Sequence, residues 1–343
     1  MENHHESSDR QRVLLVSAPR TASNLLLKVL NIHNQPNVLT SEEGGYFFHK
    51  AFVVATREIN QFKPFSEWTD AEKGQIRDAY QQCLDLIEEY SARAQADNKI
   101  MFAKEHAISF LNPAKTQGQP GDTTESSTSR LNFPATYGPE LTFSPHNQTW
   151  LPDEYLRTWR LAFIIRHPAL AFPSLYRALV KLTKLGALNE DGMKGAGMAN
   201  MSLGWTRKLF DWSLEQSGGK TVPLVIDGND VILNPGAVVR FCEAAGLDTG
   251  ALQFDWTGES DKKKEPTPGT WAGVDEQAAR VMLSTLEASK GIVKDKAPAT
   301  VDIKAEADKW RAEFGDEAAG AIEKAVLDAM PDYEYLKERR VQG

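Results

Sequence analysis

Val13-Leu14-Leu15-Val16-Ser17-Ala18-Pro19-Arg20-Thr21-Ala22-Ser23-Asn24-Leu25-Leu26-Leu27-Lys28-Val29-Leu30 is the stretch on which the fold turns. Its apolar start, Val13 to Val16, reads as a buried strand. A tight polar turn follows from Ser17 to Asn24, then a leucine-rich segment with helical spacing. A strand, a short hydroxyl-rich loop with one cation, and a helix together make a cradle for phosphate. N–H groups at the helix start point at the anion, and the helix dipole favours negative charge there. Arg20 adds a full charge, and Thr21, Ser23 and Asn24 add side-chain hydrogen bonds around Ala22. The loop is not a Walker A motif, because no glycine occurs between Val13 and Leu30. Taken alone, an ordinary buried strand–helix turn is the competing reading.

Working outward, residues 38–40, 100–103, 161–165 and 222–226 also read as strands, most of them followed by helical patterns. The alternation predicts an α/β fold with a parallel sheet of about five strands and helices on both faces. Such sheets bind ligands beyond the carboxyl ends of their strands. That rule gathers Ser17–Asn24, Lys104–His106, Arg166–His167 and Asp227–Gly228 on one rim. Helices are expected over 66–90, over 168–184 with a bend at Pro173, over 201–215, and over 234–245 with Gly246 as the stop. The tail beyond Asp275 is charged and helical. Residues 112–150, rich in Gly, Pro, Ser and Thr, read as an insertion, partly disordered or a lid. Residues 1–11 read as a disordered tail and 12–343 as one domain.

Composition narrows the function. The chain has 343 residues, 41% hydrophobic and 25% charged, as soluble globular proteins do. A net charge of −8 argues against broad binding to nucleic acid or an anionic membrane, yet permits a local basic pocket. Two cysteines, Cys83 and Cys242, make no disulfide framework and read as buried thiols. No signal-peptide core and no apolar run of membrane-spanning length occur, so the expected compartment is cytoplasmic. The expected partner is a small molecule, and a homodimer is possible.

Three further patches carry candidate chemistry. In Lys104-Glu105-His106, a histidine beside a strand end suits a general base, and Lys104 points the same way in extended backbone. A surface lysine and a structural histidine are the alternative. In Arg166-His167-Pro168, the arginine ends a strand, and Ser174 lies about two helical turns on. Arg166 and Ser174 fit a clamp on one phosphate; a salt bridge and a surface serine are the alternative. Lys262, Lys263 and Lys264, followed by Gly269, Thr270 and Trp271, fit either a basic loop closing on a phosphate with a purine stack or a solvated charge run.

The four patches, in this order, resemble the sulfotransferases that use 3′-phosphoadenosine-5′-phosphosulfate (PAPS). The resemblance covers residues 12 to 272 apart from 112–150. It implies that Pro19 to Asn24 bind the 5′-phosphosulfate and that His106 is the catalytic base, with Arg20 and Lys104 stabilising the leaving charge. It implies that Arg166, Pro168 and Ser174 form the 3′-phosphate site, completed by Lys262 to Lys264 and Trp271. Asp227 falls at an acidic position of the family. Ala22 stands where the family has glycine, so the backbone there is expected to avoid positive φ, and Asn24 stands for a hydroxyl residue. The implied activity is sulfuryl transfer from PAPS to a hydroxyl or amine of a small-molecule acceptor, without a metal. The alternatives are a P-loop kinase, and the same fold repurposed for another reaction or for nucleotide binding alone. Tyr46, Phe47 and Phe48 line an acceptor pocket or belong to the core, and His49 is a second pocket base or a surface residue.

Overall fold

The computed structural model describes residues 11–117, 130–189, 193–256 and 276–343. In chain order the elements are β1 (Arg12–Ser17), α1 (Ser23–Val29), β2 (Val38–Leu39), α2 (His49–Val53), α3 (Asp70–Ala96), β3 (Ile100–His106), α4 (Pro113–Gln117), α5 (Asp153–Leu156), β4 (Arg160–Ile165) and α6 (Pro168–Lys184). There follow α7 (Gly204–Gln216), β5 (Leu224–Asp227), α8 (Gly228–Leu233), α9 (Pro235–Ala244), α10 (Glu276–Ala288), α11 (Ile303–Phe314) and α12 (Asp316–Glu338), with short 3-10 and π turns between some of them. The strands form one sheet in the order β2-β3-β1-β4-β5, every pair parallel.

Alternation along the strands sorts the core into two layers. Leu14 and Val16 of β1 join Met101 and Ala103, Phe163 and Ile165, and Val225 on one face. Tyr80 and Leu84 of α3, Phe172 of α6, Phe210 of α7 and Val326 of α12 cover that face. Val13 and Leu15 join Phe102, Ile164 and Ile226 on the other, under Leu26 of α1 and Phe241 of α9. Strands covered on both faces read as unbroken apolar runs, as these do.

The boundaries have local causes. Helix α3 starts at Asp70 because Thr69 and Glu72 form a capping box, and it runs to Ala96, so the expected span 66–90 is displaced toward the C-terminus. Helix α6 matches its expected span, with Pro168 in the first turn and Pro173 inside. Helix α9 is capped by the Asn234 side chain, and Gly246 follows it at φ 77°. Strand β3 runs three residues past the expected end at Ala103, so Lys104, Glu105 and His106 lie in the sheet, paired with Leu15, Val16 and Ser17.

The expectation of a lid over 112–150 is corrected for the described part. Leu131, Tyr137 and Trp150 are buried in the α3-side core, and Trp150 stacks on Tyr80 with ring centroids 4.9 Å apart. Aromatic rings do there what aliphatic residues do elsewhere. Residues 118–129 lie outside the described residues, as does the expected tail apart from Gln11, whose carbonyl accepts from the Met101 amide. Cys83 and Cys242 are buried free thiols. No helix among the described residues is long and apolar enough to cross a membrane.

The β5–α8 turn touches the polar loop between β1 and α1. A Cβ at Gly228 would stand 2.6 Å from the Thr21 carbonyl oxygen. That neighbour is backbone and cannot rotate aside. Gly228→Ala is therefore expected to destabilise the protein by about 1–3 kcal/mol. Urea unfolding checks this, and an unchanged midpoint would show that the loop yields freely.

Candidate active site

Two residues of the loop carry positive φ, Arg20 at 67° and Ala22 at 68°. The expectation that Ala22 avoids this region is overturned: it is the left-handed N-cap residue of α1. For an alanine this costs about 1–2 kcal/mol, so the loop is held from outside. The Thr21 hydroxyl donates to the Ala18 carbonyl at 2.8 Å. The Arg166 guanidinium donates to the Arg20 carbonyl at 3.2 Å. Ser23 is buried in the first turn of α1, and the Asn24 amide oxygen accepts from Lys104 Nζ at 2.5 Å.

The register of β1 against β3 sets Ser17 beside His106. Ser17 Oγ lies 2.9 Å from His106 Nδ1 and donates to the Glu105 carbonyl at 3.1 Å. On the other side of the ring, Nε2 lies 2.9 Å from the Tyr46 hydroxyl. Burial, helped by Lys104 and His49, holds the His106 pKa well below its usual value. The imidazole is therefore neutral at physiological pH, the form a general base needs.

Lys104 and His106 face α1, and Glu105 between them faces the α3 side. Lys104 is completely buried, and burial lowers its pKa despite the neighbouring carboxylate. Its ammonium lies 4.3 Å from the centroid of the Tyr46 ring. Glu105 is also completely buried, and burial raises its pKa. Its Oε1 accepts from the amides of Phe47 and Phe48 at 2.6 and 2.8 Å.

The cations meet on the β4 side. Arg20 Nε donates to Ser174 Oγ at 3.0 Å, and Nη1 donates to the Met282 carbonyl of α10 at 2.5 Å. Ser174, expected to share a phosphate with Arg166, accepts here from Arg20. Arg20, with two acceptors within reach of its guanidinium fork, leans toward α6. Arg166 Nη2 donates to the Lys296 carbonyl at 2.6 Å. Its Nε is buried with no partner among the described residues. Burial lowers the pKa of both guanidinium groups, and the charge of Arg20 lowers that of Arg166 further. Neither forms a salt bridge among the described residues. Asp227, the nearby acid, caps α8 through the Asn229 amide and accepts from Tyr333 Oη at 2.8 Å.

Of the residues expected to line an acceptor pocket, Tyr46 places its hydroxyl 2.9 Å from His106 Nε2. Phe47 and Phe48 belong to the core, the second of the two readings left open by the sequence, with Phe47 edge-on to Tyr90 and Phe48 beside Tyr80 and Phe110. His49 is half-buried next to Tyr46, with ring centroids 6.1 Å apart. Lys262, Lys263, Lys264 and Trp271 lie outside the described residues. Neither the Ser17–His106 contact nor the burial of Glu105 is among the sequence expectations. Their signal is positional: Ser17 is the last residue of a strand whose neighbour ends in His106, and Glu105 is a carboxylate inside an apolar run.

No protein-family model matches the sequence. Two curated relatives do. "Sulfotransferase ppzF" of Metarhizium rileyi is 35% identical over 348 residues, covering 97% of this chain and 96% of its own. Its namesake in Metarhizium majus is 36% identical over 350 residues, covering 97% of each chain. The chain belongs to the sulfotransferase family. Among solved structures, the sulfotransferase domain of the Synechococcus PCC 7002 olefin synthase aligns with 89% of this chain and 95% of its own, at 11% identity and a TM-score of 0.41.

In this sulfotransferase the buried neutral His106 has a thermodynamic signature. Its folded pKa lies below the unfolded value of about 6.5, so the unfolded chain binds more protons as pH falls through that value. The contribution to stability is complete above that value and is lost below it. Relative to His106→Gln, the natural protein is expected to lose additional stability as pH falls below about 6.5. Urea melts at pH 7.5 and 5 measure the difference, and equal losses in the two proteins would show a charged or exposed imidazole.

Proposed function

We propose that the protein transfers the sulfuryl group of PAPS to a hydroxyl or amine of a small-molecule acceptor, with His106 as general base. One observation carries this reading. Arg20 and Arg166 sit half-buried within electrostatic reach of one another, linked through the Arg20 carbonyl, and no carboxylate is ion-paired to either among the described residues. Two desolvated like charges repel, and a multiply charged anion between them relieves both the repulsion and the desolvation. Arg166 Nε is a buried donor still to be satisfied. The donors on Met282 and Lys296 carbonyls are those an anion would take over, since charge-assisted bonds are roughly twice as strong as neutral ones. These residues fit a nucleotide with phosphates at two positions.

When bound, PAPS supplies an activated sulfuryl group on a phosphate leaving group. Arg20, Thr21 and the loop amides would hold its 5′ end, with Lys104 fixed to the loop through Asn24 and placed to balance developing charge. Arg166 and Ser174 would hold the 3′-phosphate, and Lys262 to Lys264 and Trp271 join them on the resemblance. His106 is the base that takes up a proton as the acceptor attacks. Positioning and electrostatics do most of the work, as in phosphoryl transfer.

His106→Ala is expected to lower turnover about 10²-fold or more while leaving the affinity for 3′-phosphoadenosine 5′-phosphate unchanged. Unchanged turnover would remove His106 from the mechanism. By calorimetry, Arg166→Ala should weaken that nucleotide about 10- to 100-fold, as losing a charged hydrogen bond does, and weaken 5′-AMP much less. Equal losses would place Arg166 away from the 3′-phosphate, and no binding heat in the natural protein would overturn the assignment.

A further inference from the structure

We propose that the Tyr46 hydroxyl is itself a catalytic residue, relaying the acceptor's proton to His106. The proposal rests on the reading of His106 as general base. It begins from the count of hydrogens around the imidazole. The Ser17 hydroxyl has one proton, which its contact with the Glu105 carbonyl uses, because a carbonyl can only accept. Ser17 Oγ is then the acceptor for His106 Nδ1–H at 2.9 Å. A neutral imidazole has one N–H, so Nε2 is the bare nitrogen, and the Tyr46 hydroxyl at 2.9 Å donates to it. The chain of donation runs Tyr46 to His106 to Ser17 to the Glu105 carbonyl. The basic lone pair is filled by the Tyr46 proton.

Tyr46 is not placed to swing away. It is only 5% exposed. Its carbonyl accepts from Ser41 Oγ at 3.0 Å and its amide donates to the Glu43 carbonyl at 3.3 Å. The next two amides are gripped by the buried Glu105 carboxyl, and the rings of Phe47 and Phe48 are locked in the core. A side chain whose backbone is held on both flanks, and whose ring lies edge-on to His106 with centroids 5.4 Å apart, stays against the base. An acceptor therefore reaches Nε2 through the phenol oxygen.

The step balances. As the acceptor oxygen forms its bond to sulfur, its proton passes to Tyr46 Oη and the Tyr46 proton passes to His106 Nε2. The sulfur–oxygen bond to the 5′-phosphate breaks and its electron pair leaves with the phosphate. Tyr46 ends as it began, and the imidazolium is stabilised by donation from Nδ1 to Ser17. Burial and the charge of Glu105 hold the Tyr46 pKa well above its usual value, so the two proton transfers occur together and no free phenolate forms.

Two measurements on the full-length protein test the relay. The first needs no acceptor: nitrogen-15 NMR of histidine-labelled protein, with the His106 signals assigned by their loss in His106→Gln. A proton on Nδ1 and a hydrogen-bonded bare Nε2 are expected, with the Nε2 signal moving toward the unbonded position in Tyr46→Phe. A proton on Nε2 in the natural protein overturns the relay. The second is the single-turnover rate of 3′-phosphoadenosine 5′-phosphate formation from PAPS with 2-naphthol as the acceptor probe. Tyr46→Phe should be about 10²-fold slower with unchanged nucleotide affinity, and the curved dependence of rate on deuterium content should become linear. A Tyr46→Phe rate within about twofold of the natural protein, with His106→Gln still slowed 10²-fold, overturns the relay and spares the base. Full rates in both variants overturn the two together.

Discussion

Ser17 stands beside His106 because β1 and β3 pair in parallel with those two residues opposite each other. The rest of the site hangs on that register. Side chains alternate between faces, so a slip of one residue would turn Lys104 and His106 toward α3 and Glu105 toward α1. Asn24 would lose Lys104, and the amides of Phe47 and Phe48 would lose their carboxyl. The apolar residues upstream resist such a slip, because Met101 and Ala103 would exchange layers with Ile100 and Phe102. The same hydrophobic alternation that closes the core thus aims the side chains of the candidate site. They sit at the strand ends because the core stops there and the backbone still carries the pattern.

That placement sets a severe electrostatic problem. Lys104 and Glu105 are consecutive, completely buried and directed to opposite faces, so neither can neutralise the other at contact distance. Each responds by shifting toward its neutral form, the lysine down and the carboxyl up, with burial as the main cause. Removing a partner from a buried charge is more costly than never having had the pair. Asn24 accepts from the Lys104 amine and two amides donate to Glu105 Oε1, while Glu105 Oε2 is buried with no partner among the described residues, as suits a carboxyl shifted toward its protonated form. An anion in the loop would favour the charged form of Lys104, as any nearby opposite charge does.

How much of this was legible in the sequence follows from the kind of signal each feature leaves. The strand–loop–helix at 13–30, the parallel sheet and the rim of Arg20, Lys104, His106 and Arg166 rest on periodicity and order, which a linear text preserves. Helix α6 was read to the residue because Pro168 and the apolar spacing mark it. Helix α3 was read too early, although Thr69 and Glu72 spell out its cap. The partners of the cations were out of reach, because the Met282 and Lys296 carbonyls are backbone atoms with no side-chain signature. The placement of Tyr46 was half legible: an aromatic near the site, but with its hydroxyl on His106 only once β3 and the 41–48 segment are folded together. The described part of 112–150 was misread because a core of tyrosine and tryptophan looks polar when only aliphatic residues are sought.

The loop itself shows how a fold can satisfy a backbone demand without the residue that usually meets it. Ala22 adopts the left-handed conformation that glycine enters freely, and the cost falls on the folded state. The contacts that bear it come from three directions: Ala18 beneath Thr21, Arg166 on the Arg20 carbonyl, and the β5–α8 turn against the loop. At that turn the chain has glycine. A side chain at 228 would meet the Thr21 carbonyl at 2.6 Å and the Ala22 methyl at 3.4 Å. The absence of a side chain at 228 therefore makes room for the loop that Ala22 strains. A loop fixed by its surroundings loses less freedom when an anion arrives than one built of glycines, so part of the ordering cost of binding is already met on folding.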